Sequence, residues 1–446
     1  MPTPDGVALA QARTHFLAGV AAFESGRLDD AVVALEEALA LAPGRPSVLV
    51  NLAATRLAQG LPELAQPLLE QALAAEPADA QAWCHHALAL VALGRDGDSI
   101  ASFDRSLALP DAPAAAAIQR ALALRRQGLT NDALVALESL CDSAAPDDPL
   151  PWLERGLALQ VLQRHDEAAD CYRRACAVPD APARAFALLG ALLKDANRPD
   201  EARDQLREAL SRDPADAVTR YLLASVDRIE APPQSPASYV ISLFDDYAER
   251  FDRHLVGTLG YQAPQRLADL LPAPRPGLNV LDLGCGTGLM AAALAARAGA
   301  LATIEIDGVD LAPAMLAQAR ARGLYRHLDA ADIAGHLAAT TRRYDWMLAT
   351  DVFIYIGALE AVFAGMARVL APGGLAGFSL EVLSPQDSVG TPGWQLRPSA
   401  RYAHSAAYVQ ELAAAGNWQV VHLRPGPLRE DQRQPVAGLY VVLQRG

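Results

Sequence analysis

The sequence predicts two unlike parts in one chain: an α-solenoid of short helical repeats over residues 1–230, then a doubly wound α/β domain over residues 231–446. Three observations predict it. Gly26, Gly60, Gly94 and Gly128 recur every 34 residues with helix-forming sequence on both sides. Residues 278–288 read LNVLDLGCGTG, an apolar strand running into a glycine-rich turn. Beyond that turn, strand-like and helix-like apolar segments alternate to the end. A length of 446 residues also exceeds what a single core serves, so more than one domain is expected.

The repeats come first. A small residue lies five positions beyond each glycine (Ala31, Ala65, Ser99 and Ala133), and Ala168 and Ala202 continue the series where the glycine is replaced. Six units result. Pro43, Pro77, Pro110, Pro146, Pro179 and Pro214 stand where a helix should stop. Apolar residues make up 52% of the chain but aromatics only 6%, so Ala and Leu carry the apolar content and favour helices.

This pattern resembles the tetratricopeptide repeat, a helix-turn-helix unit in which small residues let paired helices approach. Gly19, Ala31, Leu35, Ala38 and Pro43 match in the first unit, and Trp152, Gly156, Ala168, Tyr172 and Ala175 in the fifth. The resemblance implies a stacked array with a groove for a partner protein or peptide, or a plain spacing element. A capping helix is expected over about 215–229. Ala231–Pro236 (APPQSP) then reads as a linker, because three prolines fall in six positions.

The second domain opens on SYVISLFDDYAERFDRHL, with Phe244, Tyr247, Phe251 and Leu255 at three- and four-residue spacing along one helical face. In LNVLDLGCGTG, Asp282 closes the strand and Gly284, Gly286 and Gly288 form the turn. Glycines admit close approach to the backbone, and the helix start that follows offers free N–H groups. That arrangement suits an adenosine cofactor. Asp310 ends a second apolar strand and is placed to meet ribose hydroxyls. Either a dinucleotide or S-adenosylmethionine fits so far. An acid beside the glycine turn favours the latter, which carries an ammonium and a sulfonium and no pyrophosphate.

These residues resemble a class I S-adenosylmethionine-dependent methyltransferase, VLDLGCGTG matching its first motif and VDLAPAMLAQA its second. The resemblance implies a cofactor site built by Asp282, Gly284, Cys285, Gly286 and Gly288 at the methionine end and Asp310 with Leu311 at the ribose. It implies Asp332 and Ile333 at the adenine, Thr350 and Asp351 toward the sulfonium, and Tyr247 and Phe251 folding over the cofactor. The last two strands, in NWQVVHLR and AGLYVVLQR, are expected antiparallel. As a whole, the chain resembles a subfamily in which tetratricopeptide repeats precede such a domain.

For the chemistry, LRPSARYAHSAAYVQ, expected as a loop between the fifth strand and the last helix, gathers Arg401, Tyr402 and His404 within a short span that matches, in the subfamily, a stretch near the transfer pocket. His404 is the expected base, since imidazole titrates near neutrality, and Arg401 suits a carboxylate. ATDVFIY lacks the Asn-Pro-Pro-aromatic element of many nucleic-acid amine methyltransferases, and the net charge of −14 repels nucleic acid and anionic membranes. A small molecule or peptide substrate is therefore expected, with no metal. Five cysteines without CxxC spacing indicate neither a disulfide framework nor a zinc site. The amino terminus has no signal-like apolar run, which predicts a cytoplasmic location. The oligomeric state is left open. The alternative to an enzyme is a scaffold whose repeats bind a partner and whose second domain only senses S-adenosylmethionine.

Overall fold

The computed structural model describes residues 4–143, 148–227, 229–245, 260–298, 304–431 and 434–446. The chain divides into two compact units, Met1–Leu192 and Leu193–Gly446. No described helix is long and apolar enough to cross a membrane.

The first unit consists of helix pairs: Pro4–Glu24 with Leu28–Leu41, Pro46–Ala58 with Pro62–Ala75, Ala80–Ala92 with Asp96–Leu107, Ala114–Arg126 with Thr130–Ser143, and Leu150–Val161 with His165–Cys176. The helix Ala183–Asp195 reaches the division, and Pro199–Arg212 and Ala217–Val226 follow in the second unit. Each pair turns its corner in the same way. The residue after a left-handed corner donates its N–H five residues back, as in Arg27 to Ala22, Leu61 to Arg56 and Arg95 to Leu90. Glycine holds that corner at Gly26, Gly60, Gly94 and Gly128. At the next two corners Gln163 (φ 60°) and Asn197 (φ 58°) take the same conformation. A side chain there costs on the order of 1 kcal/mol, less for Asn, so the corner survives where the glycine signature lapses.

The small residues one turn further on are wholly buried, all six of them from Ala31 to Ala202 at 0% exposure. They are where paired helices touch. Gly156 shows how tight the approach is, because a Cβ on it would lie 2.4 Å from the Tyr172 ring.

The second unit is built on a nine-stranded sheet. Its strands are β1 (Leu278–Leu283), β2 (Ile304–Asp310), β3 (His327–Ala330), β4 (Tyr344–Ala349), β5 (Leu370–Val382), β6 (Trp394–Leu396), β7 (Tyr402–His404), β8 (Trp418–Asp431) and β9 (Gln434–Arg445). The order is β3-β2-β1-β4-β5, all parallel, with β9 antiparallel to β5 and β8 antiparallel to β9. β1 to β5 are predominantly buried apolar runs, as strands covered on both faces must be, the exposed four-residue β3 excepted. Chain order reverses between β1 and β4, which leaves a crevice at their carboxyl ends. The fold is thus the predicted one, a solenoid and a doubly wound domain, with the last two strands antiparallel.

Two segments depart from expectation. LRPSARYAHS is not a free loop: β6 and β7 form a hairpin, and β7 adds in parallel to the end of β5 through Glu381 and Val382. Nor does Ala231–Pro236 behave as a linker. The Pro233 carbonyl accepts from the Gly357 and Ala358 N–H groups, Gln234 bridges to Ile356, and Ser235 donates to the Tyr355 carbonyl through both its N–H and its hydroxyl. Prolines here provide carbonyls for pairing without needing N–H partners.

Replacing Gly156 with Ala should destabilise the repeats by roughly 1–3 kcal/mol, the ordinary cost of overpacking. Gly97, whose Cβ would meet nothing nearer than 3.8 Å, is the control, and its Ala variant should be neutral or slightly stabilising. Thermal unfolding of the two variants side by side checks this.

Candidate functional site

The glycine turn is fixed from beneath. After β1, the Cys285 N–H donates to the Val309 carbonyl of β2 (3.0 Å) and the Gly288 N–H to the Cys285 carbonyl (2.8 Å). The Asp310 carboxylate accepts from the Gly286 N–H (2.8 Å) and from the Ala312 N–H (2.9 Å), so one acid ties the turn to the start of the next helix. Gly284 and Gly286 are both left-handed. They differ in what they face: a Cβ on Gly284 would strike Val352 at 2.4 Å, whereas Gly286 has nothing within 4 Å. Gly286 therefore leaves its backbone open to a ligand.

Asp282 lies behind this turn at 2% exposure and accepts a hydrogen bond from the Tyr325 hydroxyl (2.7 Å). Burial pushes its carboxyl up to about 7; the Tyr325 bond opposes the rise and the nearby Asp310 charge adds to it. A buried acid held near neutrality responds strongly to any cation brought close.

The turn opens on a cavity of about 520 Å³, within the usual range of small-molecule sites. Of the residues expected at a cofactor, Gly284, Cys285, Gly286, Asp310, Leu311, Asp332, Ile333, Thr350 and Asp351 line it, and Arg401 joins them. Asp332 also caps the helix Ile333–Ala339, accepting from the Gly335 N–H at 2.8 Å. Asp282 stands behind the lining. Gly288 does not reach the cavity; a Cβ there would press on Arg322 and Tyr325 at 3.0 Å, so this glycine serves packing. Tyr247 and Phe251 lie outside the described residues.

The expected base is placed elsewhere. His404 is fully buried in β7 and does not line the cavity. Its Nε2 faces the carbonyls of Ile356 (2.9 Å) and Gly357 (3.0 Å), so that nitrogen carries the hydrogen. Burial pulls its pKa down to about 4, and the neutral ring stacks on Tyr408. Tyr402, also fully buried, donates to the Pro232 carbonyl (2.6 Å). Both side chains brace the wall behind the cavity. Spacing alone could not separate them from Arg401, because in a β-strand neighbouring residues point to opposite faces.

Several cavity residues carried no sequence signal of function. The linker-like segment contributes Gln234 and Ser235, and the helix Ala237–Asp245 contributes Val240 and Leu243 beside Phe244 of the aromatic stripe. Arg429 of β8, also on the lining, is 5% exposed and lies between two acids. It donates to both oxygens of Asp351 (2.5 Å) and to Glu381 of β5 (2.5 Å). Asp351 itself has φ 60° and donates its N–H to the Ser379 hydroxyl (2.9 Å). A strained non-glycine residue on a cavity wall is typical of a site that must hold one geometry. Tyr261 shares a side-chain hydrogen bond with Thr350 beside it.

A family model described as a methyltransferase domain matches residues 280–374, and three tetratricopeptide repeat models match residues 22–92, 118–185 and 183–216. Methyltransferase-like protein 27 of Homo sapiens is 40% identical over 92 residues, covering 20% of this chain and 36% of the relative. The ubiquinone biosynthesis O-methyltransferase of Bordetella avium is 28% identical over 210 residues, covering 44% of this chain and 81% of the relative. The chain spans about a third of the length of the first of these and most of the second. A magnesium protoporphyrin IX methyltransferase from Synechocystis, solved with bound S-adenosylhomocysteine, aligns at a TM-score of 0.34 and 17% identity, covering 47% of this chain and 99% of that one. The fold, the site and the matched motifs define a protein with a class I methyltransferase domain. In this chain that domain follows tetratricopeptide repeats.

Removing the Arg429 guanidinium, as in Arg429→Met, should destabilise the second unit by roughly 3–5 kcal/mol, because the buried Glu381 and the half-buried Asp351 lose the charge that lies between them. Thermal unfolding at neutral pH reads this out, and a shift equivalent to less than 1 kcal/mol would show that the acids find relief elsewhere.

Proposed function

We propose that this chain is an active S-adenosylmethionine-dependent methyltransferase acting on a small molecule or a peptide, with residues 1–230 recruiting the substrate or its carrier to the domain of residues 231–446. The observation that carries this reading is the open backbone at Gly286, tied to Asp310 and backed by the buried Asp282, on the wall of the cavity. The residues fit the cofactor. Gly284, Cys285 and Gly286 would hold its methionine end, with Asp310 and Leu311 at the ribose and Asp332 and Ile333 at the adenine. Thr350 and Asp351 would face the sulfonium, and Tyr247 and Phe251 would close over it.

When bound, S-adenosylmethionine supplies a methyl group made electrophilic by its sulfonium. The protein's own work is to align an acceptor with that group and keep water out, since in-line displacement gains most from orientation and desolvation. Asp282 acts on the cofactor's positive charge through its field from behind the turn. His404 and Tyr402 hold the wall in place, and Arg401 is the residue of that trio positioned to touch a substrate.

A ligand cation prefers the ionised form of Asp282. Because this carboxyl sits near 7 in the free protein, affinity should fall as pH drops through that value. Between about pH 8 and about pH 6 the Kd for S-adenosylmethionine should rise about tenfold, and Asp282→Asn should flatten the profile. Calorimetry at several pH values measures both, and a pH-independent Kd in the unmodified protein would refute the role given to Asp282.

Recruitment by the repeats is tested with methyl-labelled cofactor in a host extract. A chain lacking residues 1–192, which keeps the helices Pro199–Arg212 and Ala217–Val226 of the second unit, should bind cofactor normally but label its target poorly. Equal labelling by the shortened and full chains would exclude recruitment.

A further inference from the structure

The cavity lining carries two kinds of charged group. Near the glycine turn are the acids Asp310 and Asp332. The lining also holds Arg401, Arg429, Asp351 and the phenol of Tyr355. Of these, Arg429 is committed to Asp351 and Glu381. Arg401 hydrogen-bonds to the Tyr355 hydroxyl. A phenol oxygen that accepts from a guanidinium still has its own hydrogen to give. Arg401 and Tyr355 thus present N–H and O–H donors side by side, and burial holds the phenol in its neutral, donating form.

Both donors are held rigidly. The Tyr355 carbonyl takes two hydrogen bonds from Ser235, and its ring meets Phe244 edge to face at 5.8 Å. Arg401 follows Ala400, which is left-handed (φ 57°) and whose carbonyl accepts from the buried Tyr221 hydroxyl at 2.6 Å. The wall beside them is apolar, formed by Val240, Leu243 and Phe244.

We infer that the methyl acceptor is a carboxylate on an apolar body, held by Arg401 and Tyr355 for carboxyl O-methylation. This rests on the reading of the domain as an S-adenosylmethionine-dependent methyltransferase. A guanidinium and a phenol together offer N–H and O–H donors to both oxygens of a carboxylate, and the guanidinium adds the matching charge. In the reaction one carboxylate oxygen forms a bond to the methyl carbon as the carbon–sulfur bond breaks and its electron pair stays on sulfur. No proton moves, so the acceptor needs orientation and desolvation but no base. That agrees with an imidazole buried behind the wall.

The test uses the full chain loaded with S-adenosylhomocysteine and titrated with octanoate, octanamide or octylamine. Octanoate should bind, and the amide and amine should bind at least about tenfold more weakly. Arg401→Gln and Tyr355→Phe should each weaken octanoate by about tenfold while leaving the Kd for S-adenosylhomocysteine within a few fold, and Arg401→Lys should recover only part of the loss. With methyl-labelled cofactor, the product formed on octanoate or on an acid from a host extract should release volatile methanol on treatment with alkali. Octanoate binding no better than octanamide, unchanged binding in Arg401→Gln, or an alkali-stable labelled product would each overturn the assignment. Failure of the unmodified chain to bind S-adenosylhomocysteine would instead overturn the underlying reading, so the two failures are told apart.

Discussion

The hydrogen bond from the Gly286 N–H to the Asp310 carboxylate is the constraint on which the second unit's site depends. It joins the ends of two parallel strands, and the same carboxylate starts the helix after β2 by accepting from Ala312. With Gly286 held there, the turn shows bare backbone to the cavity and its back to Asp282. Were the turn to relax, the open backbone, the acidic field and the crevice at the strand ends would be lost together. Burying Asp282 is costly, and a protein keeps such a group where a cation will repay it.

A second constraint ties the hairpin of β6 and β7 to the chain before β1. Tyr221 donates to Ala400, Tyr402 to Pro232, and the Pro233 carbonyl to Ser235 stretch pairs with residues 355–358. The helix Ala217–Val226 that follows Pro199–Arg212 is therefore part of the wall that presents Arg401. This also gives physical meaning to the division of the chain at Leu192. The final helices belong, in packing, with the catalytic-type domain.

The architecture was legible because it is written in spacing. Thirty-four-residue glycines and buried small residues define helix pairs, and LNVLDLGCGTG with VDLAPAMLAQA defines a strand, turn and helix. The cavity lining around the glycine turn was legible for the same reason, since its residues sit at fixed offsets from that turn. The rest of the lining was not. Arg429, Tyr355, Tyr261 and Val240 come from segments far apart in sequence, and only the sheet brings them together. His404 misled because its residue type suits a base, whereas β7 turns it inward against two carbonyls. The proline-rich Ala231–Pro236 misled in the opposite direction, reading as spacer while serving as wall.

An acid-backed glycine turn should select a cationic sulfonium cofactor over a dinucleotide with its anionic pyrophosphate. Calorimetric titration of the full chain with S-adenosylmethionine and, separately, with NAD tests it most directly. Saturable binding of S-adenosylmethionine at one site per chain with no measurable binding of NAD is the expected result; binding of NAD, or no binding of S-adenosylmethionine, would contradict the claim.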